Sequence, residues 1–354
     1  MISFRATPSR LIPFFCIFIS GAASLVYELI WIRQLALIFG GSLYAISAVL
    51  CAFMTGLAIG AWGIGLFISY RNKQKKNVNL VFLYGLIEGL IGLYGLFFPY
   101  GLELISSLYA PLANRTIEIS FLLHWVEFFL STALMLPATI CMGATLPLIG
   151  SWSIGKSSER IIPDVSILYS LNTFGAVAGC LYTQTIALKY FGISVTNFTA
   201  VGANFLVFIL CTTLHSSFIK NPSPKTQVIQ TKTNCESSLS TDRKLSLLLI
   251  FIFAYSGMAS LASEILWTRV LVFPMGTTLN SFTIILATFL FGIALGSIIS
   301  NKIFGNSNHV IKFLLIQLSI AILCITILPL FERLHEWTLK ADQVFYDLDN
   351  VALK

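Results

Sequence analysis

The chain has 354 residues, of which 56% are hydrophobic and only 10% are charged, and its mean hydropathy is +0.85. Such values exclude an ordinary soluble domain and predict an all-α, polytopic membrane protein, with the lipid bilayer as its first partner. The formal net charge of +7 fits membrane topology and anionic lipids, so we expect no nucleic acid as a partner.

Apolar segments that are long enough to cross a bilayer, which takes about 20 residues each, recur along the chain. They predict about nine transmembrane helices, over residues 11–38, 43–70, 79–107, 122–150, 164–188, 192–218, 246–272, 278–300 and 309–331. Glycine pairs and short polar loops separate these segments. The first apolar run is too long for a removable signal peptide, so we expect it to remain as a helix.

An internal repeat divides the chain. Residues 20–33 return as residues 256–269, and the Glu, Trp and Arg of the first copy recur at the same spacing in the second. Matching charges carry more weight than matching Leu or Ile in apolar helices. The repeat therefore predicts two related halves.

The repeat and the polar loops predict four regions. They are a first six-helix membrane bundle over 1–218, a cytoplasmic linker over 219–244, a partial second bundle of three helices over 245–331, and a short polar C-terminal tail over 332–354. The Lys and Arg residues of the loops lie mainly on the side of the N-terminus, which predicts that this terminus is cytoplasmic. Parallel six-helix repeats joined by a cytoplasmic linker are the arrangement of major-facilitator-type transporters, so we expect a major-facilitator-like bundle.

Two glutamates and two arginines of the repeat lie in apolar segments. A charge at membrane depth costs at least about 2.5–3.5 kcal/mol, so it should face a partner or a water-filled cavity. Arg33 follows Glu28 by five residues and Arg269 follows Glu264 likewise, which separates each pair by about 140° on one helix. We therefore expect Glu28 to face Arg269 and Glu264 to face Arg33, either as a substrate or proton site or as a structural clasp between the halves.

The tryptophans Trp31 and Trp267 lie close to these glutamates along the sequence. Their predicted depth, near the outer interface, is typical of the aromatic belt of membrane proteins. The alternative is that they stack on a cationic ligand.

Other polar residues in apolar segments are also candidates. Glu88 is surrounded by Leu, Ile and Gly, and Asn172 lies at membrane depth, where it would cross-link helices or line a cavity. His124 and Glu127 share a helix face but lie near a helix start, where we expect them to be solvated. The membrane glutamates Glu28, Glu88 and Glu264 favour a cationic substrate or proton coupling.

Small residues are spaced for close helix packing in three GxxxG pairs. These pairs are Gly56 and Gly60, Gly175 and Gly179, and Gly292 and Gly296.

Motifs of soluble catalytic sites are absent from the sequence: it has no dinucleotide fingerprint, no Walker loop, no GxSxG and no zinc-type spacing. We therefore expect no catalytic residues, no metal site and no cofactor.

An ordered set of motifs resembles the membrane portion of the bacterial fused transporter/spermidine synthase family. The set consists of residues 20–33, Gly40-Gly41-Ser42-Leu43-Tyr44-Ala45, residues 52–60, Met142-Gly143-Ala144-Thr145-Leu146-Pro147, residues 168–176, and the second copy at 256–269 and 292–296.

The resemblance implies a multi-pass, transporter-like protein of the bacterial inner membrane that handles small cationic or amine substrates. Members of that family carry, after the membrane region, a soluble Rossmann-type domain that transfers an aminopropyl group to a diamine. This chain contains no counterpart of that domain's motifs, so we expect no such enzyme activity from it alone. Two alternatives stay open: the membrane part of a spermidine (polyamine) synthase whose aminopropyltransferase domain is separate or missing, and a truncated, non-functional product.

Overall fold

The computed structural model describes residues 8–40, 43–74, 79–116, 120–154, 161–220, 239–275, 278–303 and 311–327, with the single positions 329, 333 and 336. Within this part of the chain every regular element is a helix. The helices are α1 (Pro8–Phe39), α2 (Leu43–Lys73), α3 (Leu80–Thr116), α4 (Ser120–Ile154), α5 (Ile161–Tyr182), α6 (Gly192–Lys220), α7 (Leu239–Met275), α8 (Thr278–Ile303) and α9 (Ile311–Ile327). Helix α5 continues through one π-helical turn, Thr183–Ala187, to Tyr190.

Eight of the described helices, α1 to α8, are long and apolar enough to cross a membrane, which confirms an all-α, multi-pass membrane protein. Helix α9 is apolar but shorter, so the count of nine spans stays a prediction. Of the predicted linker, residues 221–238 lie outside the described residues, and its two ends belong to α6 and α7. Nearly all of the predicted tail, 332–354, also lies outside them.

The described helices fall into two compact units. The first contains α1 to α6 together with residues 286–301 of α8, and the second contains α7, the beginning of α8 and α9. In the first unit, the hydroxyl groups of Ser166 in α5 and Ser297 in α8 lie 3.0 Å apart. This contact joins the C-terminal part of α8 to α5.

Helix α1 lies at the centre of the first unit. It packs against α5 and α6 and also touches α2, α3 and α4, while α4 packs on α2 and α3, and α3 packs on α6. In the most apolar stretch of 18 residues in α1, 72% of the residues are buried. The buried share of the corresponding stretch is 33–44% in the other spans of this unit. Buried side chains on α1 therefore meet neighbouring helices rather than lipid.

Glycines bring α5 directly onto α1. A Cβ atom on Gly175 or Gly179 would lie 2.0 Å from the carbonyl oxygen of Phe18 or 2.2 Å from that of Ala22. Gly21 of α1 lies equally close to Asn172, since its Cβ would be 2.1 Å from the backbone oxygen of that residue. Close packing is thus confirmed for this GxxxG pair.

The pair on α2 has the same role against α4. A Cβ on Gly56 would meet the side chain of Thr139 at 1.8 Å, and one on Gly60 would meet the Ile140 carbonyl oxygen at 2.0 Å. For Gly292 and Gly296, by contrast, no atom of the described residues lies within 4 Å of that position. The described contacts therefore give no close approach at the third pair.

We predict that Gly179→Ala lowers the free energy of unfolding by about 1–3 kcal/mol, because α1 and α5 must separate to admit the methyl group. Gly202→Ala on α6 is the matched control, since a Cβ at Gly202 meets nothing within 4 Å among the described residues. Ala also has the better helix propensity, so the control should keep or slightly raise stability. Unfolding of the purified protein in SDS–detergent mixtures measures both. Equal loss in the two variants would contradict the α1–α5 contact.

Candidate functional site

Three helices of the first unit meet at one carboxyl group, that of Glu88 in α3. Its side chain is fully buried, with 0% exposed. Ser20 of α1 donates a hydrogen bond to Oε1 at 2.5 Å, and the Asn204 amide of α6 donates one to Oε2 at 2.6 Å. Each carboxyl oxygen is therefore held by a different helix.

Glycines on α3 make this meeting possible. A Cβ on Gly85 would lie 2.6 Å from Cys211 Cβ, and one on Gly92 would lie 3.2 Å from Asn204 Cβ. Because α3 presents no side chain at these positions, α6 approaches it closely enough for Asn204 to reach Glu88.

Further polar atoms lie around this carboxyl. Tyr84, one helical turn before Glu88, is fully buried and interacts with it electrostatically. Asn204 Oδ1 has no hydrogen-bond partner within the part of the chain that the structure describes. We call Glu88, Ser20, Asn204 and Tyr84 the Glu88 cluster.

The Glu88 cluster contains no cationic side chain. Among the described residues, no Lys, Arg or His nitrogen lies within 4.0 Å of the Glu88 carboxyl. The titratable groups that interact with it are neutral when protonated, and they are Tyr27 of α1, Tyr84 of α3, Cys141 of α4 and Cys211 of α6. A negative charge here is stabilised only by hydrogen bonds from neutral donors.

The contact between α1, α3 and α6 that contains Glu88, which we call the seam, holds further buried polar groups. The Asn197 amide, two turns from Asn204, donates a hydrogen bond to the Gly95 carbonyl at 2.9 Å. Asn197 Oδ1 is buried and accepts no hydrogen bond from a described residue, and the same holds for the buried Tyr27 hydroxyl group, which lies against Gly95. A row of buried polar groups thus extends from Glu88 between α1, α3 and α6.

Glu28, predicted as a site residue, is buried on α1 with 2% of its surface exposed. It lies near Cys180 of α5, with which it interacts electrostatically. Asn172, the predicted polar residue of α5, is half-buried and packs against Gly21. The structure therefore places both on the contact between α1 and α5, which is separate from the Glu88 cluster.

Trp31 lies inside the helix bundle. It is fully buried and stacks on Phe98, with ring centroids 4.1 Å apart and planes 12° apart. The Tyr27 ring lies 5.0 Å away and the Tyr94 ring 6.4 Å away. The aromatic-belt interpretation is wrong for Trp31, because a belt residue must reach the lipid headgroups and this indole faces only protein.

The other predicted residues of the repeat are spread over both units. Arg33 is half-buried in the first unit. In the second unit Glu264 is buried, Trp267 is half-buried and Arg269 is exposed. The pairings of Glu28 with Arg269 and of Glu264 with Arg33 join separate units and stay predictions.

Glu127 is a buried acid where we expected a solvated one. Only 2% of it is exposed, the Tyr109 hydroxyl donates to its Oε1 at 2.9 Å, and His124 Nδ1 lies 3.4 Å from its Oε2. The sequence indicated the His124 contact through the spacing of three residues, but Tyr109 comes from α3. Within the described ranges, no group of three or more His, Cys, Asp or Glu side chains could hold a metal ion.

A cavity of about 480 Å³ lies among α4, α5 and α8 of the first unit. Its described lining is mostly apolar and consists of Leu146, Gly150, Val165, Ser166, Leu168, Tyr169 and Ser297. It includes none of the predicted site residues and no member of the Glu88 cluster.

Comparison of the chain with protein-family models, with curated proteins and with solved structures finds no match. Fold and site together define a multi-pass α-helical membrane protein with a buried acidic site in its first unit. The chemistry of that site therefore indicates what the protein can do.

We predict that Ser20→Ala lowers the free energy of unfolding by about 1–3 kcal/mol, because it leaves a buried carboxyl oxygen without its partner. Ser24→Ala, one turn along α1, is the matched control, since among the described residues the Ser24 hydroxyl bonds only to the Ser20 backbone carbonyl of its own helix, at 3.0 Å. Its loss should change stability by less than about 0.5 kcal/mol. Unfolding curves of the two variants in the same detergent give the comparison, and indistinguishable curves would contradict the Ser20–Glu88 contact.

Proposed function

We propose that this protein is a transporter-like component of the bacterial inner membrane, with a cytoplasmic N-terminus, that handles small cationic or amine substrates. The proposal includes a major-facilitator-like arrangement and a relation to the fused transporter/spermidine synthases. The observation that supports it best is the fully buried Glu88, which has no basic side chain beside it among the described residues.

An acid in this position has a cost that packing does not explain. A charged side chain at membrane depth costs at least about 2.5–3.5 kcal/mol, and such residues usually mark substrate, ion or proton pathways. An apolar residue at position 88 would fill the α1–α3–α6 contact without this cost. The acid is therefore best explained by a cation that it binds.

The sign of the buried charges favours a cation over an anion. Among the described residues, every buried side chain of the Asp, Glu, Lys and Arg types is a glutamate. These residues are Glu28, Glu88, Glu127 and Glu264. An anionic solute would meet repulsion at each of them, whereas an ammonium group would be attracted.

The neighbouring groups suit an ammonium ion as well. An alkylammonium donates up to three hydrogen bonds and accepts none. Asn204 Oδ1 and Asn197 Oδ1 are buried acceptors that no described donor occupies, and both lie on the seam that contains Glu88. A substrate amine that entered this seam would find acceptors beyond the carboxylate itself.

Uptake into proteoliposomes tests the proposal. Purified protein in lipid vesicles should accumulate radiolabelled putrescine or spermidine, and Glu88→Gln should reduce the initial rate at least tenfold, because the amide keeps the size but not the charge. Glu103→Gln is the matched control, since Glu103 lies on the same helix with its side chain exposed, and this variant should keep the wild-type rate.

Empty vesicles and a labelled dicarboxylate of similar size complete the experiment. The proposal fails if the wild-type protein transports neither amine, or if Glu88→Gln retains the wild-type rate while melting at the same temperature.

A further inference from the structure

We propose that the closed Glu88 cluster is a proton-binding site, in which Glu88 is a neutral carboxylic acid, and that a cationic substrate must displace this proton in order to bind. The proposal depends on the transport function above for the substrate, but not for the proton. It names the coupling ion, which the transport proposal leaves open.

Among the described residues, none beside Glu88 supplies a positive charge. A buried carboxyl group without a basic neighbour must be neutralised by a proton or by a bound cation. Each of the packed elements α1, α3, α4 and α6 contributes titratable groups near Glu88, and all of them are tyrosines or cysteines, which carry no positive charge. They are Tyr27, Tyr84, Cys141 and Cys211, with Cys16 beside Cys211 at a sulfur–sulfur distance of 4.0 Å.

The geometry of the contacts to Glu88 distinguishes a proton from a metal ion. A metal cation needs several oxygen ligands at roughly 2.0–2.6 Å. Here Oε2 receives the Asn204 amide N–H at 2.6 Å and Oε1 contacts the Ser20 hydroxyl at 2.5 Å. The two contacts occupy both oxygens of a group that has no exposed surface, so this closed arrangement leaves no space for a metal ion and its ligands. A proton needs no additional space.

Ser20 can hydrogen-bond to both the ionised and the neutral form of Glu88. A hydroxyl group both donates and accepts, so the contact between Ser20 and Glu88 has two forms with the same heavy-atom positions. In the ionised form Ser20 donates to Oε1. In the neutral form the carboxylic O–H donates to Ser20 Oγ, while Oε2, now the carbonyl oxygen, keeps the N–H of Asn204. The observed 2.5 Å separation suits a hydrogen bond between oxygens in either form.

The exchange step follows directly. The O–H bond of the Glu88 acid breaks, its electron pair stays on the carboxylate, and the proton leaves to water. The carboxylate then pairs with the incoming ammonium group. One proton is released for each positive charge that the carboxylate takes up, so the site itself exchanges charge one for one.

Infrared spectroscopy of the full chain in lipid vesicles tests the proton site directly. At neutral pH without substrate, the wild-type spectrum should contain the carbonyl band of a protonated carboxylic acid that Glu88→Gln removes and Glu103→Gln keeps. Wild-type and Glu88→Gln spectra that superimpose in this region would overturn the proposal, because Glu88 would then be ionised.

A second pair of variants covers the case in which Glu88→Gln does not fold. Ser20→Ala should shift the frequency of the same carbonyl band, because it removes the hydrogen-bond partner of the acid, and Ser24→Ala should leave it unchanged. Absence of any difference between these two spectra also contradicts the proposal.

A hydrophobic carbodiimide, which reacts with protonated acids in apolar surroundings, provides an independent measurement. Mass spectrometry should find the adduct on Glu88, putrescine should reduce the labelling at least fivefold, and Na⁺ or K⁺ should have no effect. Saturable protection by either metal ion would show a metal site instead. The spectra and the labelling without substrate do not require transport. If the protein shows both results but takes up no amine, the transport function is contradicted and the proton site is supported.

Discussion

The structure of the first unit depends on how one buried acid is accommodated. Glu88 lies at the contact of α1, α3 and α6, and its two oxygens are held by Ser20 and Asn204. In a lipid-embedded bundle, where apolar surfaces gain little by leaving the lipid, such interhelical hydrogen bonds specify which helix faces meet. The cluster therefore fixes the relative rotation of three helices. We propose that its carboxyl group also binds a proton or a cation.

Close helix approach is the condition that makes the cluster possible. Gly85 and Gly92 allow α6 to reach α3, and Gly175 and Gly179 allow α5 to reach α1. The central helix α1 is thus enclosed on several sides, and its polar residues are directed to protein partners. Two of its polar contacts differ in chemistry, since Ser20 faces the acid of α3 while Glu28 lies near Cys180 of α5.

Several aromatic residues lie inside the bundle and do not face the lipid headgroups. Trp31 stacks on Phe98 inside the bundle, and the Tyr27 ring packs beside it. These buried rings fill the contact between α1 and α3, where they exclude water and lipid. A low dielectric around the seam strengthens each hydrogen bond in it and raises the cost of an unpaired charge. The same packing that stabilises the bundle therefore makes the acid sensitive to protons and cations.

The sequence by itself determined that the protein lies in a lipid bilayer, that it is all-α, and roughly where its helices begin and end, because a bilayer demands about 20 apolar residues in each span. It also identified Glu88 and the GxxxG pairs of α2 and α5, since a charge or regularly spaced glycines stand out in apolar segments. It did not identify Ser20, Asn204 or Tyr109 as partners, and it placed Trp31 at the membrane interface. Those assignments depend on which faces of separate helices meet, and all faces of an apolar helix look alike in sequence. Only the tertiary structure decided them, because glycine contacts and interhelical hydrogen bonds set the rotation of each helix about its axis.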